Sequence, residues 1–456
     1  MNDQGFERRL AAYGVKKEHL ERSGEINLAR NAFVDIVACM MAGSANREVK
    51  HLVEAVTNWA SGGISCVIGH QHRYHPPWAA LVNGASAHAL DFDDNFLPAF
   101  THASSVLFPA ILSLAESENL PGLDLLDAYI FGLELHDHIG KMVNPEQFQK
   151  GWHTTSTVGT IGTAGACARL LGLGEDAVLN AMSIGFSMAS GSKRQFGSMM
   201  KPIHAGLAAQ HAVMAAKMAA NQITGNHDFL SGDWGFQGLY GETNPAKADT
   251  AISNLEVPFL QQNHSLLVKR FPCCASAHKT LDGLLELKEE HHLNADDIKR
   301  VTARLPQTLR RNLPFARPEN EMEARFSLPY AAARILIEGR LSLLHFTKKA
   351  VDQFKENDLM DRIKIETIPD PEELNLFFPI YSRVELMDGK ILEIEIRDLK
   401  GSSTNPLSTA DMKSKFIDCL QFAGRIEHAD DLFSAVMSIA KIDRIEDLTD
   451  QLSGHK

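Results

Sequence analysis

Cysteine is scarce in this chain, with six among 456 residues and no CxxC pair. That excludes a disulfide scaffold and points to reduced thiols in a cytoplasmic compartment. Cys39, Cys66, Cys167 and Cys419 are scattered and only Cys273 and Cys274 adjoin, so an iron–sulfur cluster is not expected. No uncharged apolar run approaches the ~20 residues that span a bilayer. The N-terminal MNDQGFERRL also lacks a signal peptide's apolar segment. A membrane is therefore not an expected partner. Basic charge is in deficit too: 45 Lys and Arg face 57 Asp and Glu, a net charge of −12. That argues against nucleic acid, which selects a basic face. An acidic ligand would need a local basic cluster. P-loop, dinucleotide fingerprint and nucleophile elbow are all missing. Gly159, Gly162 and Gly165 are spaced GxxGxxG within a helical pattern and read as helix packing.

What is present is mostly helix. At this length two domains are expected. Asn27–Met41, Val49–Ala60, Pro77–Ala89, Leu123–Val143, Ser156–Leu171, Asp176–Ala189 and Ala205–Thr224 carry apolar residues at helical spacing. After about Asn263 the pattern changes. Ile298–Leu309 and Ile363–Thr367 read as strands, and Tyr381–Met387 and Ile391–Arg397 flank Asp388-Gly389, a hairpin signal. Helices return at Thr409–Phe422 and Ala429–Ala440. The expected fold is mainly α. A large all-helical domain is formed by residues 1–263 and 399–456, with an inserted α+β lid domain at 264–398.

The most informative stretch is Phe196 to Gly206, FGSMMKPIHAG. Pro202 falls where a helix begins, which suits its missing N–H. Lys201 is then expected at a helix mouth beside His204, where gathered positive charge lowers a lysine pKa and attracts carboxylates. Upstream, His88-Ala89-Leu90-Asp91-Phe92-Asp93-Asp94-Asn95 packs three carboxylates into four residues, unfavourable without cationic neighbours. The alternative is a solvated helix end with Asp91 or Asp93 capping the next helix. His102 follows in THASS. His153 precedes a hydroxyl-rich helix start at Thr154-Thr155-Ser156, suited either to an anion or to an ordinary cap. Lys269 and Arg270 precede Cys273-Cys274, read as an anion clamp rather than a metal site or a thiol nucleophile. Arg325 and Tyr330 lie further on. His70, His72 and His75 have metal-ligand spacing but sit in a polar loop with Arg73 between them, and read as surface. His136 and His138, two apart on a helix, are poor co-ligands.

Taken together, HALDFDD (88–94), THASS (101–105), GWH (151–153), KPIHAG (201–206), TG (224–225), KRFPCCASAH (269–278) and RFSLPYAAA (325–333) resemble the MmgE/PrpD family. That family includes 2-methylcitrate dehydratase, cis-aconitate decarboxylase and iminodisuccinate epimerase. The resemblance runs over almost the whole chain, with the motifs in the family's order. It implies a helical domain with a smaller α+β lid, a homodimer, no required metal or organic cofactor, and an active site between the domains. Asp91, Asn95, His102, His153, Lys201, Lys269 and Tyr330 fall on its site positions. Cys274 stands where the decarboxylase branch has histidine, and Asn95 where threonine is more usual. Both disfavour decarboxylation.

The shared chemistry implied is proton removal or delivery at a carbon next to a carboxylate, which requires stabilising an aci-carboxylate or enolate. Lys201, Lys269 and Arg270 supply positive charge, with His204, Asn95 and Cys274 also set against substrate. His102 or His153 serves as acid or base, Asp91 orients one of them, and Tyr330 protonates a leaving hydroxide. The expected substrate is a small polycarboxylate. The first reaction expected is a 2-methylcitrate-dehydratase-like elimination, then epimerisation of the iminodisuccinate type, then decarboxylation. A non-catalytic carboxylate-binding protein is the alternative of another class.

Overall fold

Helical spacing of apolar residues becomes helix throughout the N-terminal half of the computed structural model, which describes residues 5–15, 23–253, 255, 266–371 and 378–454. Among the described residues 21 α-helices are joined by only eight strands, six residues or fewer apart from two of them, so the fold is mainly α. The chain divides into two compact units, Met1–Leu267 with Met412–Lys456, and Val268–Asp411. The boundary expected after 263 lies outside the described residues. The return expected at 399 comes at 412, because the segment after the last strand still belongs to the second unit.

In the first unit the helices Ser23–Ser44, Arg47–Ala60, Pro76–His88, Gly122–Val143, Thr154–Leu170, Glu175–Met188 and Met200–Ala220 all fall on expected segments. Ser104–Ser117 was not expected. It is apolar on every side and holds Pro109 in its interior, so neither periodicity nor breaker logic marks it. Gly24–Ser44 is also longer and more apolar than expected: 21 residues of mean hydropathy 1.2, enough to cross a membrane by length and composition. It is a core helix, with 72% of that window buried inside the protein.

One helix pair positions the functional residues. Pro76–His88 runs against Met200–Ala220 through small residues, since a Cβ on Gly84 would lie 2.8 Å from Gly206 Cα and a Cβ on Gly206 would strike the Leu81 carbonyl. Backbones can approach this closely only where side chains are absent. The contact fixes the His88 end of one helix near the Lys201 start of the other. The three glycines of GxxGxxG do pack helices, with Gly162 against His136 and Gly165 against Leu135.

The second unit carries a four-stranded sheet. Ile363–Ile368 pairs parallel with Ile298–Pro306, which pairs antiparallel with Ile380–Leu386, which pairs antiparallel with Ile391–Ile396. The expected hairpin is there, with Gly389 at φ 90° and the Asp388 carboxylate accepting from Lys390 N at 2.8 Å. His278–His291 and Leu328–Glu338 cover the sheet and share its core with Val301, Ala303, Val384 and Ile335.

Candidate active site

The site is built on helix ends of the first unit. His88 is the last residue of Pro76–His88. The chain then turns through Asp91, held in the left-handed region at φ 53°, and presents its carboxylates in two directions. Asp91 Oδ1 lies 2.8 Å from Lys201 Nζ. Asp93 Oδ2 lies 2.8 Å from His88 Nδ1 and 3.4 Å from His102 Nδ1. The next carboxylate, Asp94, accepts from the Ser104 hydroxyl and, at 3.3 Å, from Ser104 N. Thus Asp94, rather than Asp91 or Asp93, supports the start of the following helix.

The imidazoles form a cluster. Ring centroids of His88 and His102 are 4.4 Å apart, and those of His88 and His153 are 5.9 Å apart. His153 Nδ1 is 3.2 Å from His204 Nδ1, so one of the two nitrogens carries the proton between them. Phe196 closes against the His153 ring at 4.9 Å and lies 5.5 Å from Lys201 Nζ. His153 is itself the N-cap of Thr154–Leu170 and offers no side-chain cap. The expected caps Thr155 and Ser156 are inside the first turn instead, and Thr155 Oγ1 accepts from His102 N at 3.1 Å. Lys201 likewise sits inside the first turn, because the helix begins at Met200 rather than at Pro202.

Burial decides the charge states. It pushes the fully buried His88 down to about 4, outweighing the attraction of Asp93. It also lowers His153 well below the usual imidazole value, helped by His88, Lys201, His102 and His204. Burial lowers His204 as well. For Asp93 burial opposes ionisation, but the hydrogen bonds and charge of His88 and His102 hold its carboxyl well below the usual range. The pair is therefore a neutral imidazole donating to a carboxylate. Asp94 goes the other way, raised by burial to about 7. His88 Nε2 and Asn95 Nδ2 are buried with no hydrogen-bond partner among the described residues.

The geometry departs from the sequence reading in several places. Asp93, not Asp91, is the carboxylate bonded to histidine, while Asp91 pairs with Lys201. Lys201 thus faces an anion, which suits a fixed cation rather than a base. His88 was missed, although the crowding of three carboxylates already called for cationic or donor neighbours. Asp91, His102, His153, Lys201 and His204 are brought together. Asn95 sits in a short strand paired with Leu266–Leu267.

Lys269, Arg270, Cys274 and Tyr330 belong to the second unit. Lys269 is 1% exposed. Arg270 Nη1 pairs with Asp282 Oδ1 at 2.6 Å, so its charge is partly spent on its own unit. Cys274 N donates to the Arg325 carbonyl. Tyr330 is fully buried, its ring among Phe346 and Phe354 and its hydroxyl donating to the His345 carbonyl. That packing makes it a core residue here rather than the expected proton donor. The histidines at 70, 72 and 75 do not converge: His70, His72 and Tyr74 stack in sequence, and His75 precedes a helix without a side-chain cap bond.

His88, Asp91, Asp93 and His102 each offer one ligand atom within 4.8 Å of the others, a set that a divalent cation could use. The Lys201 ammonium already pairs with Asp91, and His88 already occupies Asp93 Oδ2, so a cation would have to displace them.

Comparison with known proteins identifies the family. Residues 9–249 match the MmgE/PrpD N-terminal domain and residues 271–438 the MmgE/PrpD C-terminal domain. The chain belongs to the MmgE/PrpD family. It is 31% identical over 422 residues to cis-aconitate decarboxylase of Homo sapiens, covering 89% of this chain and 85% of that one. The Mus musculus enzyme of the same name is 29% identical over 451 residues, 95% and 90% of the two chains. That of Aspergillus terreus is 24% identical over 404 residues, 83% and 81%. With such relatives the chain is an enzyme of the lyase type.

Proposed function

We propose that this enzyme moves a proton at the carbon beside a carboxylate of a small tricarboxylate, and that its first reaction is elimination of water from a citrate-type substrate. The observation carrying the proposal is Asp93, bonded to His88 and 3.4 Å from His102 Nδ1, beside the Lys201–Asp91 pair. A neutral imidazole backed by a carboxylate accepts a proton readily, because the carboxylate stabilises the imidazolium that forms. His102, 15% exposed at its side chain against 0% for Asp93, is the base within reach of a ligand. The substrate C–H proton passes to His102, its electron pair becomes the new C=C bond, and the hydroxyl leaves as water after taking a proton back from the His102 imidazolium. Lys201 supplies the positive charge that the aci-carboxylate requires.

A second reading, decarboxylation of a cis-aconitate-type tricarboxylate, is favoured by the names of the relatives. The two readings share a substrate class, since water loss from a citrate gives an aconitate. Asn95 and Cys274 favour the first.

Incubation with 2-methylcitrate, citrate, cis-aconitate and iminodisuccinate, followed by product NMR, separates them. Olefinic product from a citrate supports elimination. Loss of CO₂ from cis-aconitate supports the second reading, and no change in any of the four contradicts both. The homodimer, the cytoplasmic location and the substrate roles of Lys269, Arg270 and Cys274 remain part of the proposal. Light scattering and alanine variants test the first and last of these.

A further inference from the structure

Behind the turn that carries Asp91 and Asp93 lies a buried ion pair that the reaction does not use. Lys415, on the helix Thr409–Phe422, is 6% exposed. Its Nζ is 2.5 Å from Asp35 Oδ1, donates to the Phe92 carbonyl at 2.8 Å and lies 3.9 Å from the centre of the Phe92 ring. Asp35 is equally buried, on the helix Ser23–Ser44. Phe92 stands between the two carboxylates that face Lys201 and the imidazoles. On its far side Asp94 is tied to Ser104, whose hydroxyl is 2.7 Å from that of Tyr129.

The turn is thus gripped at Phe92 and Asp94, and Asp91 and Asp93 project between the grips. Asp91 holds a left-handed backbone, which costs a non-glycine residue about 1 kcal/mol or more and persists only where the surroundings impose it. An ion pair of this kind is weak evidence for stability, since burying two charges costs about as much as their attraction returns. Its hold on a backbone carbonyl inside the catalytic turn is the feature that stability does not explain.

We propose that Lys415, anchored by Asp35, is a positioning residue that sets Asp91 against Lys201 and Asp93 against His88 and His102. The proposal rests on the site reading above, and its test has an arm that needs no turnover.

The test compares the wild type with Asp35→Leu/Lys415→Met, which replaces the pair without leaving a lone buried charge, and with Lys415→Met alone. Thermal unfolding establishes that each is folded. The Cε1 resonances of His88 and His102 are then read by NMR in protein labelled at histidine, assigned through His88→Gln and His102→Gln. The double variant is expected to fold and to shift both resonances. On whichever substrate the wild type turns over, kcat is expected to fall ~100-fold with KM changed less than ~3-fold, as for a misplacement of about 1 Å. Unmoved histidine resonances, or an unmoved kcat in a folded double variant, would overturn the proposal. If the wild type turns over none of the four substrates, the reaction reading fails while the resonances still decide the role of Lys415. If the double variant does not fold, Asp35→Asn, which keeps the shape and a hydrogen-bond acceptor beside Lys415, carries the same readings.

Discussion

Lys201 and Asp91 form a 2.8 Å ion pair across 110 residues of sequence, and each depends on a different helix end for its place. Removing the ammonium by Lys201→Met is expected to lower kcat by ~10²–10³, the usual cost of one electrostatic stabiliser. The pair is only partly buried, with 17% and 15% of its side chains exposed, so the melting temperature should change little. A variant retaining more than half the wild-type kcat contradicts the role.

Asp93→Asn separates the two carboxylates. An amide cannot stabilise an imidazolium as a carboxylate does, so kcat is expected to fall ~10²–10⁴-fold. Binding of the substrate, measured by calorimetry, should weaken far less. Equal losses in affinity and kcat would place Asp93 in binding rather than in proton transfer.

Gly206→Ala tests the helix contact that brings the site together. The added methyl meets the Leu81 carbonyl, a backbone atom that cannot swing aside, and the expected destabilisation is ~1–3 kcal/mol. Urea unfolding measures it. A neutral effect would mean that the two helices are not held in van der Waals contact there.

Acid should destabilise the fold through its buried histidines. His88 and His70 are lowered to about 4 and His136 to about 3, chiefly by burial. Such imidazoles are uncharged in the folded state while the unfolded chain takes up protons near 6.5. Their contribution is complete above about 6.5 and is lost as pH falls toward 4. Asp94, raised to about 7 by burial, opposes this, since its contribution is present at low pH and lost as pH rises toward 7. Other buried imidazoles, His153, His138 and His204 among them, are lowered as well, and they outnumber the raised carboxyls, so unfolding takes up protons on balance and stability falls as pH drops from about 6.5 toward about 4. The melting temperature should therefore fall by ~5 °C or more from pH 7 to pH 5. A flat or rising profile contradicts the burial of these rings.

The helices were legible because apolar residues at 3.6 spacing record a buried face, and the sheet because the Asp388-Gly389 turn fixes a hairpin. Ser104–Ser117 was not, because a helix buried on all sides has no polar face to mark its period. In the site, residue types were legible and partners were not. Asp91 and Asp93 are two apart and chemically identical, and only the left-handed turn at Asp91 decides which meets the lysine and which the histidines. Tyr330 looked functional by its motif, yet its ring packs against Phe346 and Phe354, contacts that no spacing announces. Lys415 is one basic residue among 45, and only its burial beside Phe92 sets it apart.

The most direct test of the account is deuterium incorporation in D₂O by chelator-treated enzyme acting on 2-methylcitrate and on cis-aconitate, compared with His102→Gln. The wild type is expected to place deuterium at the carbon next to a carboxylate, in recovered substrate or in product, and the variant to lose that incorporation at least tenfold. Incorporation or turnover at the wild-type rate in His102→Gln would contradict proton transfer by this cluster.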